Sequence, residues 1–166
     1  RVLFRSNTIG SYNVAVGQNA LVSNTTGGSN TAVGTSAMGN NTTGANNAAL
    51  GRNALCANTT GYNNTALGYG ALRQNTSGRF NVAVGHTSLI QNTTGCSNTA
   101  LGTRALYRNT TGNFNTAVGT YALCCAQSPS SNTALGYRSL WITTTGCNNL
   151  ALGRDAMKAN TTGVNN

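Results

Sequence analysis

The chain is short of the groups on which most enzyme chemistry depends. It has one His and a single acidic residue, Asp155, in 166 residues, whereas hydrolytic or acid–base catalysis needs positioned titratable side chains. His86 occupies a repeat position otherwise filled by Gln, Thr, Arg or Tyr and reads as surface decoration. The five cysteines have neither His nor carboxylate set beside them in the repeat register, which argues against a thiol nucleophile. A carboxylate cage for calcium and a Cys/His cluster for zinc are both missing. No phosphate-binding glycine loop occurs either. These absences point to a non-enzymatic protein with no cofactor and no metal.

Other absences narrow the fold. Apolar residues come as adjacent pairs rather than at helical spacing, so amphipathic helices are not expected. No apolar run is long enough to span a bilayer. Proline occurs once, at Pro129.

What is present is repetition. A unit of seventeen residues, close to N-T-A-[VL]-G-x-x-A-L-x-x-N-T-T-G-x-x, runs nine times over residues 13–165 without insertion or deletion. A unit this short is too small for a helical hairpin and suits one coil of a β-solenoid. The expected fold is all-β, a parallel β-roll or β-helix of seventeen-residue coils, left-handed, forming one domain over residues 7–166. At roughly 4.8 Å per coil it would make a rod on the order of 43 Å long. Residues 1–6, Arg-Val-Leu-Phe-Arg-Ser, fit the unit poorly and are expected to be non-native read-through from sequence assembly. Asn7 to Gly10 resemble the tail of an earlier unit and Asn166 opens a tenth, so the chain reads as a fragment of a longer array.

Stacking the units in register yields informative columns. Ala66 and Ala83 belong to a column that is Ala in every copy, Leu67 and Val84 to one that is always Leu or Val, and Gly68 and Gly85 to an unbroken Gly column marking a bend. A second apolar pair follows, as in Ala71-Leu72. Adjacent strand residues point to opposite faces, so strands carrying these pairs are expected to be apolar on both sides. One side can fill the coil and the other needs a partner surface. A lone thin coil is marginal, and oligomerisation, most simply as a trimer, is the natural remedy.

Two Asn columns, one opening each unit and one opening N-T-T-G, are expected to form hydrogen-bonded ladders along the axis, with N-T-T-G read as a short strand ending in a Gly turn. Same-column cysteines (Cys56 and Cys124, Cys96 and Cys147) fall about 14–19 Å apart at the coil spacing, beyond disulfide reach, and read as small apolar fillers. The one irregular coil holds Cys124, Cys125 and Pro129.

The net charge is +9, and basic chains can bind nucleic acid, anionic glycans or membranes. Here Arg52, Arg73, Arg79, Arg104, Arg108, Arg138, Arg154 and Lys158 fall in five variable columns, and the Tyr and Phe residues are equally scattered. A nucleic-acid groove would align such groups, so none is expected, and the charge reads as a solvated surface.

The N-T-A-[VL]-G-x-x-A-L segment resembles the head repeats of YadA-type trimeric autotransporter adhesins, whose S-x-A-[IV]-G-x-x-A units form left-handed parallel β-rolls that trimerise. The form with N-T-T-G is similar to repeat arrays of phage-type and bacterial tail-fibre proteins. The resemblance covers residues 7–166; the adhesin unit is shorter and lacks N-T-T-G. It implies a fibre or adhesin shaft on a cell surface or virion, extracellular, self-associating as a trimer or fibril. A host-surface receptor or glycan would be met by variable positions such as Tyr69, Arg104, Tyr121, Arg138 and Trp141.

Two other classes arise from the columns. Asn24, Asn41, Asn58, Asn75, Asn92, Asn109 and Asn160 each begin a glycosylation sequon in one column, with Asn40 and Asn63 as extras; they would serve an N-glycosylated extracellular fibril, or be internal ladder residues. The Thr25, Thr42, Thr59, Thr76, Thr93 and Thr110 column suggests an ice-binding face, but adjacent Thr-Thr residues on a strand point opposite ways.

Overall fold

The computed structural model describes residues 6–166; the first five residues of the segment read as non-native lie outside the described residues. Nine three-residue strands follow one another in a single sheet in chain order. They are β1 (Val14–Val16), β2 (Thr31–Val33), β3 (Ala48–Leu50), β4 (Thr65–Leu67), β5 (Val82–Val84), β6 (Thr99–Leu101), β7 (Thr116–Val118), β8 (Thr133–Leu135) and β9 (Leu150–Leu152). All pairings are parallel, and each residue pairs with the one seventeen later, Ala66 with Ala83 and Leu67 with Val84. The expected parallel β-solenoid is therefore the observed fold, with no helix among the described residues.

The Gly after each strand turns the corner. Gly68 has φ 129°, and a Cβ there would meet the carbonyl oxygen of Gly85, one coil on, at 2.6 Å. Both the backbone conformation and the tight stacking exclude a side chain. Two residues later the chain enters the left-handed region in every coil, yet this column accepts Asn19, Asn53, Arg104 and Asp155, because space lies outside it.

The second apolar pair departs from expectation. Ala71 and Leu72 belong to no strand; Leu72 has φ 51°, as does its whole column from Leu21 to Met157, within two degrees or so of 50°. That turn sends both side chains inward, and Ala71 and Leu72 are fully buried. A left-handed Leu costs roughly 1–2 kcal/mol, offset by the roughly 1.5–3 kcal/mol from burying its side chain. The first pair does alternate as a strand should, with Ala66 buried and Leu67 outward. N-T-T-G also differs from the expected strand. It is a bend in which one carbonyl gathers four donors: Thr42 O accepts from the N–H of Thr25, Thr26 and Gly27 at 2.9, 3.1 and 3.2 Å and from Thr25 Oγ1 at 3.0 Å.

Two of the five side chains that each regular coil turns inward are polar. Both Asn columns are buried and form the expected ladders. In one, Asn58 Nδ2 donates to Asn41 Oδ1 at 2.7 Å and to Gly61 O at 3.0 Å. In the other, Asn47 Nδ2 donates to Gly61 O at 2.9 Å, and Asn30 Oδ1 accepts from both the backbone N–H and Nδ2 of Asn47. The two ladders thus converge on one inward carbonyl per coil, that of the N-T-T-G glycine.

Coil seven breaks one ladder. Ala126 replaces its Asn, and Thr143 does so in coil eight, leaving Asn109 Oδ1 buried without a donor and Thr143 Oγ1 buried without a partner. The other ladder continues through Asn115, whose Nδ2 uses the Pro129 carbonyl at 2.8 Å instead.

Two substitution pairs test this account by thermal denaturation. Gly68→Ala is expected to cost at least about 2 kcal/mol, whereas Gly70→Asn, in the left-handed column that tolerates side chains, should stay within about 1 kcal/mol of the parent. Asn58→Ala should destabilise by about 2–4 kcal/mol through the orphaned partners, and Ala126→Asn should stabilise by about 1 kcal/mol by giving Asn109 its missing donor.

Candidate interaction surfaces

With Ala, Leu, Asn and Gly turned inward, function rests on the columns left outside, and these form distinct sides of the rod.

The first side is the outer face of the sheet. One rank is Val or Leu in all nine coils, and the strand residue two before it is Thr, Val, Ala or Leu. Leu67 is 42% and Leu152 60% exposed, while Val33, Val84, Leu101 and Val118 are half-buried, so no member of the rank is covered. None of the Arg or Lys residues of the repeat falls in these columns. Ala48, smaller than its neighbours in the column, leaves an apolar dip of about 260 Å³ between the Thr31 and Thr65 rungs.

The second side gathers four of the five positions expected to meet a receptor, Arg104, Tyr121, Arg138 and Trp141, into one surface that their separate columns do not reveal. Four variable columns lie on either side of the buried Ala-Leu turn, and in coils six to nine they fill with aromatics and cations together. The Arg104 guanidinium lies 5.5 Å from the Tyr107 ring and 5.8 Å from that of Tyr121. Arg138 lies 4.1 Å from the Trp141 ring centroid and 5.4 Å from that of Tyr137. Arg154 covers Tyr137 at 5.6 Å and Lys158 covers Trp141 at 5.3 Å. Coil seven supplies Tyr121 before the turn but only Cys124 and Cys125 after it, so a cleft of about 350 Å³ opens, lined also by Arg104, Tyr107, Arg108 and Trp141. The sequence signal was there: Arg104 to Arg108 and Tyr137 to Trp141 are cation–aromatic clusters in units six and eight, with Tyr121 between them in unit seven. Tyr69, also singled out as a variable contact, lies outside this group and stacks on His86 at 5.2 Å.

The third side carries the bend. Asn24, Asn41, Asn58, Asn75, Asn92 and Asn109 of the sequon column are all fully buried. Their Nδ2 atoms are engaged as Asn75 Nδ2 is, by Asn58 Oδ1 at 2.8 Å and Gly78 O at 3.0 Å. Attaching a glycan there requires the coil to open first. Asn160 is half-buried, while Asn40 and Asn63 are exposed. The Thr column proposed for ice contact spends its hydroxyls internally, Thr59 Oγ1 donating to Thr76 O at 3.1 Å.

All five cysteines are free thiols. Burial pushes the Cys124 thiol up to about 12, reinforced by Cys125 and opposed by Arg104 and Arg108; burial likewise raises Cys56 against the pull of Arg73. No group of three or more metal-ligating side chains occurs among the described residues, and they hold no helix long and apolar enough to cross a membrane.

This geometry defines the class: a parallel β-solenoid of seventeen-residue coils with an uncharged apolar face and a cationic–aromatic ledge. Comparison with family models, with curated proteins and with solved structures finds no match to the chain.

The Cys124 environment makes a pH prediction. The unfolded thiol ionises near 9.0 and the folded one only near 12, so its contribution to stability is complete below pH 9 and lost as pH rises through that window. Urea midpoints followed against pH should fall more steeply there for the parent than for Cys124→Ala.

Proposed function

We propose that the chain is a segment of a structural fibre or adhesin shaft, non-catalytic, displayed on a cell surface or virion, and held to copies of itself through the outer face of its sheet. The observation that carries this reading is the Val/Leu rank, uncharged in every coil and nowhere buried, exposed at Val16, Leu50, Leu67, Leu135 and Leu152 and half-buried in the four coils between. Exposed apolar surface of this continuity is unfavourable in water and marks association sites. A partner that covers it along its whole length must share the coil spacing, and a second copy of this chain has that spacing by construction. The family resemblance suggests three copies around a common axis. Each added unit lengthens such a rod without altering its section, which suits a spacer that holds something away from a surface.

Sedimentation velocity tests the assembly. The parent is expected at the mass of three chains, and Leu67→Glu combined with Leu101→Glu, which places charge on the outer face while leaving the interior untouched, should give monomers with unchanged β circular dichroism. A parent that stays monomeric at all concentrations would overturn the reading.

A further inference from the structure

We infer that the ledge on coils six to nine is a binding site for an acidic glycan, a saccharide chain bearing carboxylate or sulfate groups, that runs along the rod axis. This rests on the surface-displayed shaft reading only for where the glycan is met; the site itself is complete within one chain.

Its cations are numerous and all but one are unneutralised. Arg104, Arg108, Arg138, Arg154 and Lys158 fall within four consecutive coils, a span of roughly 14 Å at the coil spacing, and the one acid nearby, Asp155, engages Arg154 at 3.4 Å while leaving the other four without a carboxylate. Four of the five lie against aromatic rings. Arg138 is fixed by packing rather than by hydrogen bonds, since its buried Nε has no acceptor. A ring beneath a guanidinium attracts it and restricts its motion, which lowers the ordering cost when an anion binds. Guanidinium also matches carboxylate and sulfate oxygens with paired donors.

The cleft sets the ligand's shape. Tyr107 and Trp141 are two coils apart, roughly 9.6 Å, with the small Cys124 and Cys125 between them, so a volume of about 350 Å³ stays open beside Arg104 and Arg108. That is the scale of a small-ligand pocket, open at the surface so that a chain can continue out of it.

The same observations disfavour single-stranded nucleic acid, which needs bare aromatic faces for its bases. Tyr107, Tyr121, Tyr137 and Trp141 already carry cations on theirs. The largely bare Phe80 and Phe114 belong to another column, on the bend side of the coil.

Isothermal titration of the full chain at physiological salt tests the site, with heparin oligosaccharide, neutral dextran oligosaccharide and oligothymidylate of matched length as probes. Heparin should bind one site per chain, dextran should not bind, and oligothymidylate should bind at least about tenfold more weakly. Arg104→Gln with Arg138→Gln should weaken heparin at least about tenfold. Arg52→Gln with Arg73→Gln, which removes equal charge elsewhere on the rod, should change it less than about threefold. Equal losses from both pairs would reduce the effect to bulk charge and overturn the proposal, as would tighter binding of oligothymidylate or no binding of heparin. Circular dichroism of each variant controls for folding. Sedimentation is a separate readout: a monomer that binds heparin at the ledge defeats the shaft reading alone, and a trimer that does not bind defeats the glycan site alone.

Discussion

The inward carbonyl of the N-T-T-G glycine is the point on which the coil depends. Gly44 O accepts Asn30 Nδ2 at 2.8 Å and Asn41 Nδ2 at 2.9 Å, joining the two Asn ladders across the interior. A side chain on this glycine is excluded, because its Cβ would fall 2.4 Å from the carbonyl oxygen of Gly61 and from Asn41 Oδ1. Buried amides are costly unless their hydrogen bonds are made, so each Asn demands the glycine of its own coil and the Asn of the next. Register is thereby locked: a slip of one residue would strand a ladder of buried amides as well as invert the sheet's apolar pattern.

A locked interior explains what the outside may do. Ala and Leu fill the remaining space, and the strain of a left-handed Leu in every coil is tolerated because the turn it makes brings two apolar side chains inward where a strand would bring one. The variable columns bear no part of this and can carry Arg, Tyr, Trp, Asp or Gly in neighbouring units without disturbing the stack. An array whose units contact only their neighbours accumulates such differences independently.

The Ala, Gly and Asn columns were legible because stacking in register turns one-dimensional repetition directly into contact: what is identical in sequence is adjacent in space. Two local features were not. The pair Ala71-Leu72 has the composition of Ala66-Leu67 and reads as the same strand; only the left-handed Leu separates them, a conformation that β-favouring aliphatics rarely adopt. N-T-T-G reads as a strand because Thr favours strands, whereas three successive N–H groups converging on one carbonyl bend it. The ledge was legible as single contact positions but not as one surface, for a different reason. Columns were compared down the axis, whereas Arg104, Tyr107, Tyr121, Arg138 and Trp141 meet around the coil as well as along it, and proximity of the columns flanking the Ala-Leu turn follows only once that turn is known to be tight.

The irregular coil shows how the two roles coexist. Ala126 and Pro129 remove ladder and bend hydrogen bonds where Cys124 and Cys125 open the cleft, so the site is placed where the stack is weakest. The breach is one-sided. The second ladder crosses coil seven unbroken, Asn115 Nδ2 to Asn98 Oδ1 at 2.9 Å and Asn132 to Asn115 at 3.4 Å, and β7 keeps full parallel pairing to β6 and β8. The preserved ladder and sheet lie next to the apolar outer face, and the damage lies away from it, beyond the Gly119 bend. Continuity is thus retained on the side a partner copy would need, and irregularity falls on the other two sides, the ledge where a ligand would be bound and the bend beside it. A defect placed in the strand columns would interrupt the face of every copy in the assembly at the same height, and those columns are unbroken through all nine coils.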